Sequence, residues 1–197
     1  MEIACAFHLD QSPGWETGDT MKNVITSLDR PANPPWQPLQ AEGWKLSDSP
    51  ELLDRHQVWR WLSLEAAWSR GRSQEAVNTS LDHSLTVGVY DPAGRQRGVA
   101  RCVTDRVAVG FIDDVYVDAD HRGKGVGRWL VCGLLQHRLL RGISQFTLVT
   151  EDAHAHYAAS GFTPLTKLQR WMQWRRDTGS AYTPDPWAPG SPPSSVS

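Results

Sequence analysis

The stretch Asp114-Val-Tyr-Val-Asp-Ala-Asp-His-Arg-Gly-Lys-Gly-Val-Gly-Arg-Trp129 decides the fold. An apolar strand runs into a glycine-rich turn, and the turn opens a helix. Three glycines stand at alternate positions, which lets backbone amides approach a ligand closely: Gly123, Gly125 and Gly127. Three basic side chains stand among them: Arg122, Lys124 and Arg128. Together with the positive end of the helix, these features predict a binding site for a pyrophosphate.

Two other phosphate motifs fail on spacing. A dinucleotide-binding fingerprint requires glycine at position 128, where Arg128 stands. A P-loop requires Ser or Thr after its lysine, and Lys124 is followed by Gly125.

Periodicity and turn residues place further elements on both sides of this loop. Upstream we expect a helix from Ser49-Pro50, a shorter helix at 74–81, and three strands at 84–90, 98–104 and 109–117. Downstream we expect a helix at 125–140, a strand at 145–150, a short helix at 153–160 and a strand-like segment at 163–174. This order predicts an α/β fold with a mixed sheet, not a purely parallel one.

Composition divides the chain of 197 residues into three parts. Residues 1–42 include a proline-rich run and are expected to form a flexible amino-terminal arm. Residues 177–197 are rich in proline and serine and are expected to form a disordered tail. The working domain is expected at 43–176.

Charge and cysteine content exclude several classes of protein. The net charge of −2 argues against nucleic-acid or polybasic membrane binding. The three cysteines are widely spaced and form no CxxC pair, so neither a metal site nor a disulfide framework is expected. No apolar run approaches the ~18 residues of a membrane span, and a cytoplasmic location is the natural expectation.

Two motifs resemble those of the GNAT superfamily of N-acetyltransferases. Arg122-Gly-Lys-Gly-Val-Gly127 resembles its motif A, and Tyr157-Ala-Ala-Ser-Gly-Phe162 resembles the end of its motif B. The strand at 112–117 also looks like the strand that binds the pantetheine arm of the cofactor. The resemblance spans residues 84–175. It implies a central, mostly antiparallel sheet with a V-shaped split, flanked by helices, and an enzyme that uses acetyl-CoA as co-substrate without a metal.

The resemblance also implies which residues contact acetyl-CoA. Those on the strand are Val115, Tyr116 and Val117, with backbone groups of Val115 and Val117 pairing with the pantetheine. Those in the loop are Arg122, Gly123, Lys124, Gly125, Val126 and Gly127. Asp152 is a further expected contact, at a place where such enzymes frequently carry Asn, and it adds negative charge near the mouth of the site.

Three residues are candidates for acid–base chemistry. Tyr157 stands where the acid of the family usually stands, and a phenol is protonated at neutral pH and able to donate a proton to a departing thiolate. Asp114 matches an acidic position often seen in relatives and is a candidate general base, with Asp113 as competitor. Because neighbouring strand residues point to opposite faces, only one of these two is expected to face the cleft.

The acceptor is expected to be a primary amine of a small molecule or a peptide. Trp59, Trp61 and Trp68 lie in the region that usually shapes the acceptor pocket. An aromatic wall is one interpretation, while core packing and a homodimer interface are the alternatives. A sensor that binds acyl-CoA without turnover, or an interaction module, remains the alternative function.

Overall fold

The computed structural model describes residues 34–174. The parts of the predicted arm and tail at 1–33 and 177–197 lie outside the described residues. The helices and strands are α1 (Gln37–Ala41), β1 (Lys45–Ser47), α2 (Arg55–Arg60), α3 (Gln74–Asp82), β2 (Leu85–Tyr90), β3 (Gln96–Thr104), β4 (Val109–Val117), α4 (Val126–Leu135), β5 (Gln145–Thr147) and α5 (His154–Ala158). A π-helical turn, Trp61–Glu65, continues α2, and short 3-10 helices occupy Ala67–Ser69, Ala119–His121, Arg138–Leu140 and Leu168–Arg170.

The five strands form one mixed sheet in the order β1-β2-β3-β4-β5. Each neighbouring pair is antiparallel except β4 and β5, which run parallel. Their pairing covers only residues 109–111 of β4 and 145–147 of β5. The carboxyl-terminal part of β4 therefore has no partner from β5, and the sheet splits there. The predicted mixed, mostly antiparallel sheet is confirmed.

Helices cover both faces of this sheet. On one face α4 buries an apolar stripe that includes Val126, Leu130 and Leu134 against the strands. Helical spacing of three to four residues puts these side chains on one side of the helix. On the other face α2, its π-helical turn and α3 form a second apolar cluster, which includes Leu62 and Val77. The end of β4 is thus held between two packed layers.

The first helix begins later than the sequence predicts. Ser49 and Pro50 lie outside it, and α2 starts at Arg55 with Asp54 as its cap. The Asp54 carboxylate accepts a hydrogen bond from the Gln57 amide at 2.9 Å, which satisfies one of the free donors of the first turn. The prediction from Ser49-Pro50 was wrong because a second capping residue stood five positions downstream.

Residues 34–42 are not part of a loose arm. Trp36 and Leu39 are buried in the cluster on the α4 side, with exposed fractions of 1% and 7%. The proline-rich run gives no strand, but it ends in α1, which carries a proline in its first turn, where the missing amide costs no hydrogen bond.

The segment 163–174 forms no strand in the structure and contains only a 3-10 turn at Leu168–Arg170. Its apolar side chains include Met172 and Trp174, which are 97% and 77% exposed. Strand preference depends on packing against a neighbouring strand, and this segment has no such neighbour within residues 34–174. The predicted closing strand was therefore wrong.

Candidate active site

A β-bulge interrupts β4 directly before the glycine-rich loop. Val99 of β3 pairs with Tyr116 of β4, whereas Arg101 pairs with Asp113. The single β3 residue between them therefore lies opposite two residues of β4, the first of which is Asp114. Asp114 has a φ of 47°, in the left-handed region that residues other than glycine rarely adopt.

The bulge reverses which side chains of β4 face which layer. Before it, Ile112 packs into the cluster on the α4 side. After it, Val115 and Val117 pack on that side, and Tyr116 packs into the cluster of α2 and α3. An uninterrupted strand would have put Ile112 and Tyr116 on the same face.

The bulge also explains why the predicted separation of Asp113 and Asp114 is wrong. Both carboxylates contact one guanidinium, that of Arg101, on the same side of the sheet. Arg101 Nε donates to Asp114 Oδ2 at 2.7 Å, and its Nη2 donates to Asp113 Oδ2. The alternation rule assumes a regular strand, and the extra residue breaks it.

Asp114 is enclosed by positive charge and is closed to a substrate. Its side chain is 1% exposed, and its Oδ2 also accepts a hydrogen bond from Arg72 Nη1 at 2.7 Å. The other oxygen, Oδ1, is buried without a hydrogen-bond partner in the described part of the chain. Both guanidinium groups donate to Oδ2, which leaves this oxygen no free approach for a substrate amine. This geometry argues against Asp114 as the general base and gives it the role of an anchor for the bulge.

Asp113 is the more accessible of the two carboxylates, with 32% of its side chain exposed. Burial raises its pKa above the ordinary range, and the negative charge of Asp114 raises it further. A carboxylate with a raised pKa binds a proton more readily near neutral pH. Asp113 therefore fits a proton acceptor better than Asp114 does.

Within residues 34–174, the backbone of β4 has an open edge after the bulge. Asp118 donates its amide to Arg97 O of β3 at 3.0 Å, so the backbone groups of Asp118 point towards β3. Alternate residues direct these groups to opposite edges, so Val115 and Val117 direct theirs away from β3. The pairing with β5 does not extend beyond residue 111 on that side. This edge can accept an extended ligand as one more strand.

The amides of the glycine-rich loop have no backbone acceptor at hydrogen-bonding geometry among the described residues. Within the described residues, the backbone N–H groups of residues 123–128 donate to no backbone acceptor. The first amide of α4 with such a partner is that of Trp129, which donates to Gly125 O at 2.9 Å. Free amides at the start of a helix of ten residues form a site for an anion.

The shape of the loop depends on glycine at two positions. Gly123 and Gly125 have φ values of 74° and 85°, which favour glycine. A Cβ at Gly123 would meet nothing within 4 Å, so the space above it is open. A Cβ at Gly125 would lie 3.0 Å from the backbone of Pro35, so residues 34–36 pass directly beside the loop.

Two of the basic side chains bind the loop itself. Arg122 Nε donates to Val117 O, and Lys124 Nζ donates to Asp120 O, each at 3.0 Å. Their hydrogen bonds connect the loop to the end of β4 and to the 3-10 helix that follows it, and their charges lie in the same loop as these amides.

Tyr157 is positioned by the end of α5. Gly161, with a φ of 94°, donates to Ala158 O at 3.0 Å, and Phe162 donates its amide to Tyr157 O at 3.1 Å. This pair of bonds is a Schellman cap, which requires a left-handed residue at Gly161. The cap also brings the rings of Tyr157 and Phe162 together at 5.9 Å. The motif Tyr-x-x-x-Gly-Phe thus fixes the orientation of the phenol.

The phenol of Tyr157 is strongly held in its protonated form. Burial raises its pKa to about 12, and the negative charges of Asp113 and Asp152 contribute. Asp152 itself is exposed, in the turn before α5. Its charge acts on Tyr157, and the predicted contact with a cofactor stays a prediction.

His156 connects α5 to the glycine-rich loop. A Cβ at Gly127 would lie 3.0 Å from His156 Cε1, so the imidazole packs against the first turn of α4. Burial lowers the pKa of His156, and the charge of Arg128 lowers it further, which keeps the ring neutral near pH 7.

The three tryptophans near the acceptor side have different environments. Trp61 is 3% exposed and stacks on the ring of Tyr116, with centroids 5.3 Å apart. Trp59 is half-buried, and its Nε1 donates to Arg72 O at 3.2 Å. Only Trp68 of the three is exposed, at 44%. Trp61 is therefore a core residue, whereas Trp68 presents an exposed aromatic surface.

Glu65 is a site residue that the sequence analysis missed. It ends the π-helical turn, and its Oε2 accepts a hydrogen bond from the hydroxyl of Tyr116. The two residues are 51 positions apart, and no motif or spacing links them. π-helical turns occur frequently at functional sites, but they leave little trace in a single sequence.

A cleft of about 480 Å³ lies between α2 and the turn that joins β2 and β3. It is lined by Leu52, Asp54, Gln57, Trp61, Gly94, Arg95, Gln96, Arg97 and Asp118. Arg97 forms ion pairs with Asp91 and Asp118, at 3.0 and 2.9 Å. This cleft includes neither Tyr157 nor the loop, and its one link to the candidate residues above is Trp61, which stacks on Tyr116.

Comparisons with known proteins agree on one family. The model of the acetyltransferase (GNAT) family matches residues 53–162. A crystal structure of a protein from Xanthomonas campestris pv. campestris, assigned to the GNAT family, is 34% identical, covers 68% of this chain and 93% of that chain, and superposes with a TM-score of 0.64.

Two curated relatives match a shorter part of the chain. Glucosamine 6-phosphate N-acetyltransferase 1 of Oryza sativa subsp. japonica is 30% identical over 100 residues, 47% of this chain and 61% of that protein. The ycf52-like N-acetyltransferase of Prochlorococcus marinus is 34% identical over 112 residues, 54% of this chain and 62% of that protein. The chain thus spans about three fifths of the curated relatives. The family match covers more than half of the chain, and the chain belongs to the acetyltransferase (GNAT) family.

Proposed function

We propose that the protein transfers an acetyl group from acetyl-CoA to a primary amine by direct attack of the amine on the thioester. The observation that carries this proposal is the row of amides at residues 123–128, at the start of α4, which donate to no backbone acceptor in the described part of the chain. Backbone donors at the positive end of a helix favour a doubly charged pyrophosphate over neutral ligands.

The residues of β4 fit the pantetheine arm. The open edge at Val115 and Val117 offers backbone donors and acceptors in line with the loop. The carbonyl of Val117 accepts a hydrogen bond from Arg122, and within residues 34–174 no strand pairs with Val115 or Val117 on the β5 side. An arm held along this edge would bring the thioester to the bulge, and such positioning alone can supply several kcal/mol of barrier reduction.

Tyr157 serves as the general acid in this proposal. As the amine nitrogen forms its bond to the acetyl carbon, the C–S bond breaks and the thiolate sulfur takes the phenolic proton. A pKa of about 12 keeps the phenol protonated, although transfer to an ordinary thiolate, of pKa ~8.5, would run uphill. Burial also raises the pKa of the thiol that departs in the same environment. The difference between the pKa values of the phenol and the thiol is therefore smaller than it is in water.

Asp113 serves as the proton acceptor for the amine. It is partly exposed, its pKa is raised, and its charge acts on Tyr157. Asp114 remains the buried anchor of the bulge. The two neighbouring carboxylates thus divide into one chemical and one structural role.

The test is a combined binding and turnover measurement. Acetyl-CoA should raise the melting temperature of the full chain, and a panel of primary amines should release free thiol. Thermal stabilisation without thiol release from any amine would favour an acyl-CoA sensor. No stabilisation by acetyl-CoA would contradict both functions and leave an interaction module.

A further inference from the structure

Glu65 presents an exposed carboxylate that is anchored to the proposed cofactor strand. Its Oε2 accepts a hydrogen bond from the hydroxyl of Tyr116. Tyr116 lies between Val115 and Val117 on β4. Tyr116 is itself 3% exposed and fixed by stacking on Trp61. A long, exposed acidic side chain is usually free to move, but this one is held at a defined place.

Aromatic surface lies beside Tyr116, the residue that holds this carboxylate. Trp68 is 44% exposed, and its ring centroid lies 6.5 Å from that of Tyr116. The indole ring is the strongest of the aromatic rings in attracting a cation. A carboxylate and an accessible indole that both neighbour one tyrosine are a combination that can recognise an ammonium group.

Glu65 has no ion-pair partner among the residues that the structure describes. Across residues 34–174, no Lys, Arg or His nitrogen forms an ion pair with Glu65 within 4 Å. Arg122 lies over the Tyr116 ring, 5.3 Å from its centroid, and donates its Nε to Val117 O. Asp113, in contrast, is already paired with Arg101.

The nitrogen that attacks must be neutral, whereas Glu65 and Trp68 favour a protonated one. The two requirements apply to different nitrogens. Asp113, the proposed proton acceptor, and Tyr116, which holds Glu65, lie three positions apart on β4, roughly 10 Å or less along the strand. A molecule with two basic nitrogens can place one at each position.

We propose that Glu65 and Trp68 form a subsite for the second, protonated nitrogen of a dibasic amine acceptor. This inference rests on the proposed function and adds to it the class of acceptor. The subsite determines specificity, and the bond-forming chemistry remains with Tyr157 and Asp113.

The experiment compares cadaverine, a linear diamine, with pentylamine, which has the same carbon chain and lacks the second nitrogen. Thiol release by the full chain should show kcat/KM about tenfold higher for cadaverine, equivalent to about 1.4 kcal/mol. Glu65→Gln should remove most of this preference, because it should lower kcat/KM for cadaverine far more than kcat/KM for pentylamine. Glutamine can still accept the Tyr116 hydroxyl, so this variant is expected to fold.

Two controls separate the subsite from general effects. Glu75→Gln removes another exposed carboxylate, in the first turn of α3, and should keep the preference for cadaverine. The affinity of Glu65→Gln for acetyl-CoA should equal that of the wild type. Calorimetric binding of cadaverine in the presence of CoA measures the subsite without any turnover.

The outcomes distinguish the two proposals. Equal efficiency with both amines, or a preference that survives in Glu65→Gln, overturns the subsite and leaves the proposed function intact. Cadaverine binding that is lost in Glu65→Gln, without thiol release in the wild type, supports the subsite and overturns the acetyl transfer. Absence of cadaverine binding to the wild type overturns the subsite.

Discussion

At the scale of single residues, the β-bulge in β4 gives the neighbouring side chains of Asp113 and Asp114 different environments. Asp114 lies between Arg72 and Arg101 with 1% of its side chain exposed, whereas Asp113 reaches the surface. Local sequence gives no sign of this difference, since a bulge depends on pairing with β3. The identity of the two carboxylates was predictable, and their roles were not.

Asp114→Asn should lower the free energy of unfolding by about 3 kcal/mol, because it leaves two guanidinium groups without their buried counter-charge. Chemical denaturation of the purified protein measures the change. Asp82→Asn is the matched control. Asp82 pairs with Arg55 at the surface, and its loss should cost less than about 1 kcal/mol. Equal effects of the two substitutions would contradict the anchoring role.

Tyr157→Phe should lower kcat about 100-fold, with the affinity for acetyl-CoA unchanged within about twofold. Tyr90→Phe, at another buried tyrosine whose pKa is also about 12, is the control and should leave kcat unchanged. A tyrosine that must be protonated acts below its own pKa. The pKa of Tyr157 is raised, so wild-type kcat should show no alkaline loss from this group up to pH ~10. Unchanged turnover in Tyr157→Phe would remove the assignment.

At the scale of elements, the site depends on how β4, the loop and α4 follow one another. The bounds of β4 agree with the sequence prediction, because a bulge changes the facing of side chains without ending the strand. The predicted helix at 125–140 breaks after Leu135, and a 3-10 turn at Arg138–Leu140 replaces its last turn. The loop could be predicted from the glycine pattern, because positions with positive φ strongly favour glycine.

Gly125→Ala should weaken acetyl-CoA binding at least about tenfold, because alanine at a φ of 85° is strained by about 1 kcal/mol or more. Its Cβ would also lie 3.0 Å from the Pro35 backbone and displace the loop. Calorimetric titration with acetyl-CoA measures the effect. Gly142→Ala, where an added Cβ meets nothing within 4 Å, should bind as the wild type does. Wild-type affinity in Gly125→Ala would show that the loop geometry does not matter for binding.

At the scale of the whole molecule, the described chain joins a split sheet to two helical layers, and its amino-terminal residues 34–42 belong to that body. The prediction of a flexible arm was wrong for these residues. It was based on their proline content, which indicates that backbone hydrogen bonds are missing but does not indicate whether a neighbouring tryptophan is buried. Long-range pairs such as Tyr116 and Glu65 were equally out of reach, since only the folded chain brings them together. Among residues 34–174, no helix is long and apolar enough to cross a membrane.

Trp36→Ala should lower the free energy of unfolding by about 3 kcal/mol or more, as expected for a large side chain removed from a core. Trp36→Phe should cost less than about 1.5 kcal/mol, because the ring is largely kept. It also removes the indole N–H, which is buried without a partner in the described structure. Denaturant titration of both variants tests this, and a negligible loss in Trp36→Ala would return these residues to a loose arm.

The central claim is that main-chain amides of the loop hold the pyrophosphate of acetyl-CoA. A titration of the isotope-labelled protein with acetyl-CoA, followed by amide nuclear magnetic resonance, tests it most directly. The account predicts that the amide signals of residues 123–128 shift most, and that S-acetylpantetheine, which lacks the pyrophosphate, leaves them in place. Saturation with acetyl-CoA without movement of these signals would contradict the account.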